Sequence, residues 1–590
     1  MEKYIATGND YISLPTITQT GEVESVGFLS MSARGLLSLS GAPFLRAFVK
    51  ENGVPLSPSS VHEEKLGFWI PQFEKRFVGG VAYQTIFAPV GGKGFLVRIE
   101  YENTSQKPQT ITLGFDGEWE TTTREINSTD ALFGQKTLTK GWHDAPVYAL
   151  NGVLPLFCFS FLCDDKTQND FLCDGETATY RMQKQTLLKT GEKTSLTLAV
   201  GFGMDGVSAV TSALDFLRQG FDGALQTALC FLAERTVQTD DTLADFRLHY
   251  NLFFCYFFAG GKTLDSEEFV MVTSRSPRYY VSAAYWDRDS LLWAFPAVLA
   301  VDKDRAKQML SYAFSTQLSN IGEHSRFIDG TLLEPGFELD ELCAPIVALC
   351  RYVESTKDFS FLEQPTIQDG VRFILDKLST KKHAERCLYE TFLYPSDDMR
   401  KYPYLTYDNA LLAFALEKYG NLSGDNALSQ HAERIRRDIQ QCCTVEKDDK
   451  ETFAWCVDLK GNYELYDEPP GSLVLLAHLG LCDKTDEVFQ NTLSLLQNSP
   501  YSFQGKRFSA LGCAHANHPW VISYCNECLA GFATKDTKKQ LLTMGMDNAL
   551  ACESINEDTG EVETGEAFAT CAGFYAYALM LIFNLQRIPG

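Results

Sequence analysis

Two hydrophobic periods divide the chain. Up to about Phe202, apolar residues alternate with polar ones, as in 95–101, where Val97, Ile99 and Tyr101 flank Arg98 and Glu100. A period of two is that of a β-strand, because successive side chains point to opposite faces. Short strands of this kind, separated by Gly, Asn and Pro, predict a β-sandwich.

Beyond Gly206 the apolar period becomes that of an α-helix. From Thr242 onwards the pattern predicts about twelve helices, which is the number needed for six helical hairpins. Two of the predicted helices cover 282–301 and 471–480. The chain is therefore predicted to be a multidomain β + α protein, with an N-terminal β-sandwich followed by helices in tandem.

Composition restricts the partners. The 590 residues carry a formal net charge of −24, which would repel nucleic acid and an acidic membrane surface. No apolar run approaches the length of a transmembrane helix, and the N-terminus lacks a basic start followed by an apolar segment. Seventeen cysteines, odd in number and scattered, suit a reducing compartment. We expect a cytoplasmic protein with no membrane or nucleic-acid partner, and the oligomeric state is left open.

One cluster of aromatic and charged residues precedes an apolar helix: Trp286, Asp287, Arg288, Asp289 and Ser290. Carbohydrate sites need this mixture, with an aromatic plate for the sugar face and charged groups that bind vicinal hydroxyls. Helix capping with an Asp–Arg pair is the alternative interpretation. We predict that Trp286, Asp287, Arg288 and Asp289 contact substrate.

Two further segments could contribute substrate contacts. Asp340 and Glu341 open a predicted helix, where they could face a sugar or interact with the helix dipole. Trp520 follows His515 and His518 and could form another wall of the site. The two histidines have no third ligand at convincing spacing, so we predict no metal site.

The segment Glu553-x-x-Asn556-x-x-Thr559-Gly560, ahead of a C-terminal apolar helix, resembles the catalytic-base segment of inverting α-glycosidases of the six-hairpin superfamily. The glucoamylase-like and processing α-glucosidase-like families are the most similar. The resemblance covers the helical region and, less distinctly, the sandwich. It implies a β-sandwich domain at 1–205, a helical linker at 206–240 and a catalytic (α/α)6 barrel at 241–590. Glu553 would then be the general base, and Arg288 and Asp289 would grip the terminal sugar.

The same resemblance places the general acid on a loop ahead of a helix that starts with an Asn-Ala-Leu sequence, here at Asn409. Glu390, which follows Tyr389, fits the glucoamylase-like version of this loop. Asp397 fits the processing-glucosidase version. We prefer Glu390, so that Asp397 and Asp398 become substrate contacts or loop caps.

Paired carboxylates suit glycoside hydrolysis, because one must donate a proton to the leaving oxygen while the other activates water. The resemblance implies an inverting, exo-acting hydrolase that removes a terminal α-linked glucosyl residue from an oligosaccharide or glycoside and needs no cofactor. Alternatives are another enzyme of the same fold (a mannosidase, rhamnosidase, phosphorylase or epimerase) or a catalytically silent glycan-binding protein. A phosphorylase would need a basic anion pocket, for which the sequence has no suitable cluster.

Overall fold

The computed structural model describes residues 3–152, 156–500 and 502–585. The chain forms two compact units. The first comprises Met1–Thr236, Gly260–Val270 and Ser274–Ala283, and the second comprises Val237–Ala259, Met271–Thr273 and Ala284–Gly590. The predicted order, a sheet-rich N-terminal region followed by a helical C-terminal region, is confirmed.

Antiparallel strands make up most of the first unit. The strands of its first sheet are β1 (Ile5–Gly8), β2 (Ile12–Ile17), β3 (Val23–Ser30), β4 (Gly35–Glu51), β5 (Val54–Pro55), β10 (Gln109–Trp119), β11 (Thr121–Glu125), β12 (Thr129–Ala131), β16 (Gln168–Cys173) and β17 (Ala178–Leu188). Those of the second are β6 (Ser60–Leu66), β7 (Ile70–Phe77), β8 (Gly80–Phe87), β9 (Gly94–Asn103), β13 (Gln135–Lys140), β14 (Pro146–Asn151), β15 (Cys158–Cys163) and β18 (Lys193–Gly203). Helices α1 (Gly206–Gln219) and α2 (Phe221–Glu234) follow.

One hydrophobic core joins the two sheets. In β9, Val97, Ile99 and Tyr101 are buried while Arg98 and Glu100 are only partly covered, as their alternation predicts. The ring of Trp119 in β10 meets the ring of Phe159 in β15 edge to face, with centroids 5.1 Å apart. Since β10 and β15 belong to different sheets, the sheets pack face to face.

Helices dominate the second unit. They are α3 (Thr242–Phe258), a π-helix (Arg288–Ala294), α4 (Phe295–Val301), α5 (Lys303–Ala313), α6 (Leu339–Thr356), α7 (Phe359–Leu362), α8 (Pro365–Ser379), α9 (Thr406–Ser423), α10 (Asn426–Cys442), α11 (Glu487–Gln497), α12 (Val521–Ala530), α13 (Lys535–Thr543) and α14 (Ala569–Ile582). Short hairpin strands lie between Gly260 and Thr564: β19 (Gly260–Lys262), β20 (Phe269–Met271), β21 (Glu323–Arg326), β22 (Leu332–Phe337), β23 (Tyr404–Leu405), β24 (Thr444–Lys447), β25 (Lys450–Phe453), β26 (Cys456–Val457), β27 (Tyr463–Glu464), β28 (Ser502–Gln504), β29 (Ser509–Leu511), β30 (Ser554–Ile555) and β31 (Val562–Thr564).

Two helices of this unit, α3 and α14, are buried on nearly all sides. Helix α14 packs against α3, α12 and the π-helix, and α6 packs against α9. A helix that is apolar all round belongs in the interior of a large protein. The acidic residues singled out from the sequence lie at the starts of the π-helix and α6 and on the segments that precede α9 and α14.

The predicted helix at 471–480 is wrong. A single 3₁₀ turn forms at Leu473–Leu475 and is followed by turns. Leu473, Leu475 and Leu479 are buried, so their spacing reflects packing and not an α-helical period. The predicted helix at 282–301 also begins late, because 282–286 forms turns and a bridge before the π-helix.

Within residues 3–152, 156–500 and 502–585, no helix is both long and apolar enough to cross a membrane.

Candidate active site

The π-helix Arg288–Ala294 presents the aromatic and charged cluster. The Glu341 carboxylate, in the first turn of α6, accepts hydrogen bonds from the backbone N–H groups of Asp287 and Arg288, the latter at 3.1 Å. A carboxylate at this position satisfies donors that the start of a helix leaves without partners. Turns of π-helix are rare and occur frequently at functional sites. Glu341 is buried, and its two hydrogen bonds fix the backbone of the cluster.

Arg288 is 1% exposed, and all three nitrogens of its guanidinium donate to acceptors of the protein. Nε donates to Asp340 at 2.7 Å, and Nη1 donates to Pro395 O at 2.7 Å and to Asp397 Oδ1 at 3.1 Å. Nη2 donates to the Glu338 carboxylate and lies 3.3 Å from Glu341 Oε1, within ion-pair distance. Because the side chain is buried and makes four hydrogen bonds to the protein, it presents no open donor face to a sugar hydroxyl. Arg288 joins the π-helix, the start of α6 and the loop that carries Asp397.

Asp287 and Arg326 form a second ion pair, and both side chains are fully buried. The Tyr285 hydroxyl donates to Asp287 Oδ1 at 2.6 Å, and the Arg326 guanidinium lies 4.8 Å from the centroid of the Tyr285 ring. The Asp287 carboxylate is therefore occupied by protein groups.

Asp397 lies in a tight turn. Its N–H donates to Tyr394 O at 2.9 Å, and the Tyr394 N–H donates to Asp398 O at 2.8 Å. Asp397 has φ +69°, in the left-handed region that Asp tolerates better than most residues. Backbone strain of this kind is common at active sites.

The Asp397 side chain is 44% exposed, although protein surrounds it on its other sides. The pKa of Asp397 is raised, mainly because burial among protein atoms disfavours the charged form, while Arg288 and His324 oppose the rise. A carboxyl that solvent reaches only from one side combines access with this desolvation. Asp397 can thus hold a proton and still meet a ligand.

Glu390 lies at a different place. Its N–H donates to Lys381 O at 3.0 Å, and its charge, after burial, contributes to the raised pKa of Tyr404. The preceding Tyr389 is 3% exposed, and its N–H donates to Asn409 Oδ1 at 2.8 Å. The structure therefore places Asp397 in contact with Arg288 and places Glu390 outside the Arg288 cluster.

Glu553 immediately precedes β30, and it is 4% exposed. Its N–H donates to Gly565 O at 3.2 Å, and its carbonyl accepts the N–H of Val521, at the start of α12, at 3.1 Å. The rest of the motif builds the turn of the β30–β31 hairpin. Asn556 Oδ1 accepts the N–H groups of Asp558 and Thr559, each at 3.0 Å.

Gly560 closes this turn with φ +77°, and a Cβ there would lie 2.4 Å from the Phe508 ring. The motif residues Asn556, Thr559 and Gly560 therefore stabilise the turn of the hairpin that follows Glu553. Cys513 lies near both Glu553 and Glu468: burial raises the pKa of its thiol to about 12, and the two carboxylates add to the rise.

The remaining predicted contacts are mostly covered. Asp289 Oδ1 accepts the Thr570 hydroxyl at 2.9 Å, and burial raises the pKa of Asp289 to about 7 against the opposing charge of Arg288. Trp286 and Trp520 are each 3% exposed, so neither ring presents an open face. The Trp286 ring contacts His324, and Trp520 Nε1 donates to Ala516 O at 3.2 Å.

Asp398 differs, since its side chain is 46% exposed. His515 Nδ1 lies 3.1 Å from Asp398 Oδ2, and the His515 ring meets the Trp520 ring edge to face. Asp398 and His515 thus connect the loop of Asp397 to the segment that leads into α12.

Sequence analysis did not single out His324, Arg326, Glu338 or Glu468. His324 Nδ1 lies 2.6 Å from Glu338 Oε1 and 3.6 Å from Asp397 Oδ1. The three residues offer ligand atoms within 4.8 Å of one another, which is a spacing that could hold a metal ion. Arg288 donates to both Glu338 and Asp397, so the protein already places a positive charge there.

Part of the chain is similar to a known family. The model of the metal-independent alpha-mannosidase family GH125 matches residues 379–580, about a third of the chain. That range contains Glu390, Asp397 and Glu553. No curated protein matches the chain significantly.

Solved structures extend the similarity to the whole chain. A bacterial glucoamylase complexed with acarbose is 12% identical with a TM-score of 0.65, covering 100% of this chain and 95% of that one. A putative kojibiose phosphorylase from the human microbiome is 10% identical with a TM-score of 0.62, covering 98% and 86%. A metal-independent alpha-mannosidase from Streptococcus pneumoniae, in a non-productive complex with alpha-1,6-mannobiose, is 19% identical with a TM-score of 0.52, covering 61% and 98%.

The chain shares its fold with the glucoamylase and the kojibiose phosphorylase. The predicted resemblance is confirmed at that level. The family match and the shared fold together support a carbohydrate-active enzyme, while the sugar that it acts on belongs to the proposal below.

Proposed function

We propose that the protein is an inverting, exo-acting glycoside hydrolase that removes a terminal α-linked mannosyl residue, with Asp397 as general acid and Glu553 as general base. Asp397 carries the proposal, because a carboxyl with a raised pKa, solvent access and a fixed orientation suits proton donation. The alpha-mannosidase family match spans both carboxylates and is the reason for preferring mannose. We further propose that the helices of the second unit close into an (α/α)6 barrel.

In this proposal Asp397 replaces Glu390 as the preferred acid. Asp397 protonates the glycosidic oxygen as the bond to the sugar breaks, and Glu553 takes a proton from the water that attacks the opposite face of the anomeric carbon. Inversion requires the two carboxyl groups to be roughly 6.5–9.5 Å apart, leaving room for that water.

The arginine also takes a different role from the predicted one. Because the Arg288 guanidinium is buried and makes four hydrogen bonds to the protein, Arg288 orients Asp397 and the loop around it and does not grip the sugar. Asp398 and Asp289 are the remaining candidates for contacts with sugar hydroxyls.

An α-glucoside is the second candidate substrate. The glucoamylase covers the whole chain, whereas the mannosidase covers 61% of it. A panel of α-mannobioses and α-glucobioses decides between the two sugars. We expect release of mannose, and release of glucose alone would transfer the proposal to an α-glucosidase.

The anomer formed first tests the mechanism. Because inversion of an α-glycoside yields the β-sugar, ¹H NMR during early turnover should detect β-mannose before mutarotation. Initial α-mannose would contradict inversion. A sugar 1-phosphate formed only when inorganic phosphate is added would instead identify a phosphorylase.

Leaving-group dependence tests the acid. A good leaving group departs without protonation, so Asp397→Asn should lower kcat/KM for a disaccharide by about 10²–10⁴ while largely sparing a 2,4-dinitrophenyl glycoside. Glu390→Gln is the matched control and should affect both substrates alike. If Glu390→Gln shows the selective loss instead, the acid is Glu390.

A further inference from the structure

Glu468 is a fully buried carboxylate outside the Arg288 cluster, and it faces the loop of the proposed acid. Both of its carboxyl oxygens accept hydrogen bonds from the same residue, Ser396. Oε1 accepts the N–H of Ser396 at 2.8 Å, and Oε2 accepts the Ser396 hydroxyl at 2.8 Å. Ser396 immediately precedes Asp397, so these hydrogen bonds act on the backbone that sets the direction of the Asp397 side chain.

The segment around Glu468 is anchored independently of this loop. Glu468 precedes Pro469 and Pro470, whose rings restrict the backbone. The Asn526 side chain, 3% exposed in α12, donates to Pro469 O at 2.7 Å. Glu468 is therefore presented by a stiff segment that is tied to a helix.

A second contact joins the same segment to the same loop. A Cβ at Gly471 would lie 2.6 Å from Pro395 Cγ and 2.7 Å from the Tyr407 ring. Only glycine allows such a close approach. Residues 468–471 thus meet the loop at both Pro395 and Ser396, while Arg288 binds Pro395 O from another direction.

The loop needs such support, because Asp397 has φ +69°. A residue in the left-handed region persists when its surroundings fix it there. We propose that Glu468 is a positioning residue for the general acid: by binding both donors of Ser396, it keeps Asp397 in the left-handed conformation that directs its carboxyl toward the substrate. This inference rests on the proposed function of Asp397.

The hydrogen bonds from Ser396 also affect the pKa of Glu468. Burial raises its pKa to about 8, and the two hydrogen bonds from Ser396 oppose that rise. Both hydrogen bonds therefore favour the charged form of the carboxyl. The loop and Glu468 consequently stabilise each other.

The test is a ratio of rates. For each variant, kcat/KM is measured with a disaccharide, which needs the acid, and with a 2,4-dinitrophenyl glycoside of the same sugar, which does not. Glu468→Ala removes both acceptors, and a displacement of the acid by about 1 Å should lower the disaccharide-to-aryl ratio by about tenfold to 10²-fold. Glu468→Gln should stay within about threefold, because its amide can accept the Ser396 N–H and donate to the hydroxyl.

Asp467→Asn is the matched control. Asp467 is also fully buried, but its carboxylate accepts the Ser472 hydroxyl at 2.7 Å and the N–H of Leu473 at 2.9 Å, both outside the acid loop. The disaccharide-to-aryl ratio of Asp467→Asn should equal that of the wild type. If Glu468→Ala does not fold, Ser396→Ala removes one of the two hydrogen bonds and should lower the ratio in the same direction.

Two results separate this inference from the proposal on which it rests. A selective loss in Asp397→Asn but a uniform loss or no loss in Glu468→Ala would overturn the role of Glu468 alone. Without a selective loss in Asp397→Asn, the assignment of the acid fails first. A selective loss in both variants, with Glu468→Gln restoring the ratio, supports the inference.

Discussion

Arg288→Lys tests whether the buried arginine serves the protein or the sugar. Lysine keeps the positive charge but has three donors on one nitrogen, where arginine has five on three nitrogens. It cannot reach Asp340, Glu338, Asp397 and Pro395 O together. Three donors cannot replace four hydrogen bonds, so at least one of them is lost, and the Asp340 and Glu338 carboxylates remain buried.

A hydrogen bond to a charged group contributes about 1.5–3 kcal/mol. We therefore expect Arg288→Lys to lower the free energy of unfolding by about 1.5–3 kcal/mol or more. Because the Arg288 guanidinium is buried and bonded to the protein, kcat should fall while KM changes by less than about twofold.

Urea unfolding followed by circular dichroism measures the stability change, and steady-state kinetics on a disaccharide measures kcat and KM. Arg372→Lys is the matched control. Arg372 Nη1 lies 2.9 Å from Asp369 Oδ1 in α8, with both side chains more than 60% exposed (69% and 66%). An exposed pair contributes about 0–1 kcal/mol, so the control should differ little from the wild type. A tenfold rise in KM for Arg288→Lys with an unchanged unfolding midpoint would refute our reasoning and show that Arg288 grips the sugar.

Two further predictions concern single carboxylates. Glu553→Gln should lower kcat by about 10²–10⁴ with little change in the unfolding midpoint, because the amide keeps the shape of the side chain and the backbone bonds to Gly565 and Val521 are retained; activity above about a tenth of the wild type would place the base elsewhere. Burial raises the pKa of Asp467 to about 7, so the folded state binds this proton more tightly than the unfolded state, and stability is lost as pH rises from about 4 toward 7. Asp467→Asn removes that loss, and its urea midpoint relative to the wild type should therefore rise between pH 5 and pH 8; an equal difference at both pH values would contradict the assignment.

Sequence analysis located the segments of the site more reliably than the roles of their residues. Arg288 and Asp340 were both singled out, and both lie in the buried cluster. The sequence could not show that the arginine is fully engaged, since Glu338 and Asp397 lie 50 and 109 positions away. A motif indicates residue types, whereas the number of occupied donors depends on the fold.

The same limit explains the preference for Glu390 over Asp397. Both lie on the segment ahead of α9, and each fits one version of the general-acid loop. The difference is tertiary, because Asp397 meets an arginine from the π-helix while Glu390 lies beside Lys381 and Tyr404. Glu468 had no local signal beyond the turn expected at Pro469.

The order of strands and helices along the chain was easier to predict than the roles of site residues, because hydrophobic periodicity follows burial directly. It predicted α3 at 243–258, within one residue of its observed ends, and α14 at 565–585, three to four residues too long at each end, since their apolar residues recur around the whole helix. It failed at 471–480, where buried leucines line a 3₁₀ turn and the following turns. It also could not distinguish a π-helix at Arg288–Ala294 from an α-helix, because six of the seven residues are buried and no apolar period remains.

The arrangement around Asp397 resolves a conflict between geometry and charge. A guanidinium 3.1 Å from a carboxylate orients it well, but it also stabilises the charged form and would by itself lower the pKa of a general acid. Here Glu338, Asp340 and Glu341 contact the same guanidinium, so its charge is shared among several carboxylates. Burial then outweighs the remaining attraction, and the pKa of Asp397 is raised. The buried acids that resembled sugar contacts in the sequence thus allow Arg288 to fix the direction of Asp397 while the pKa of Asp397 stays above its usual value.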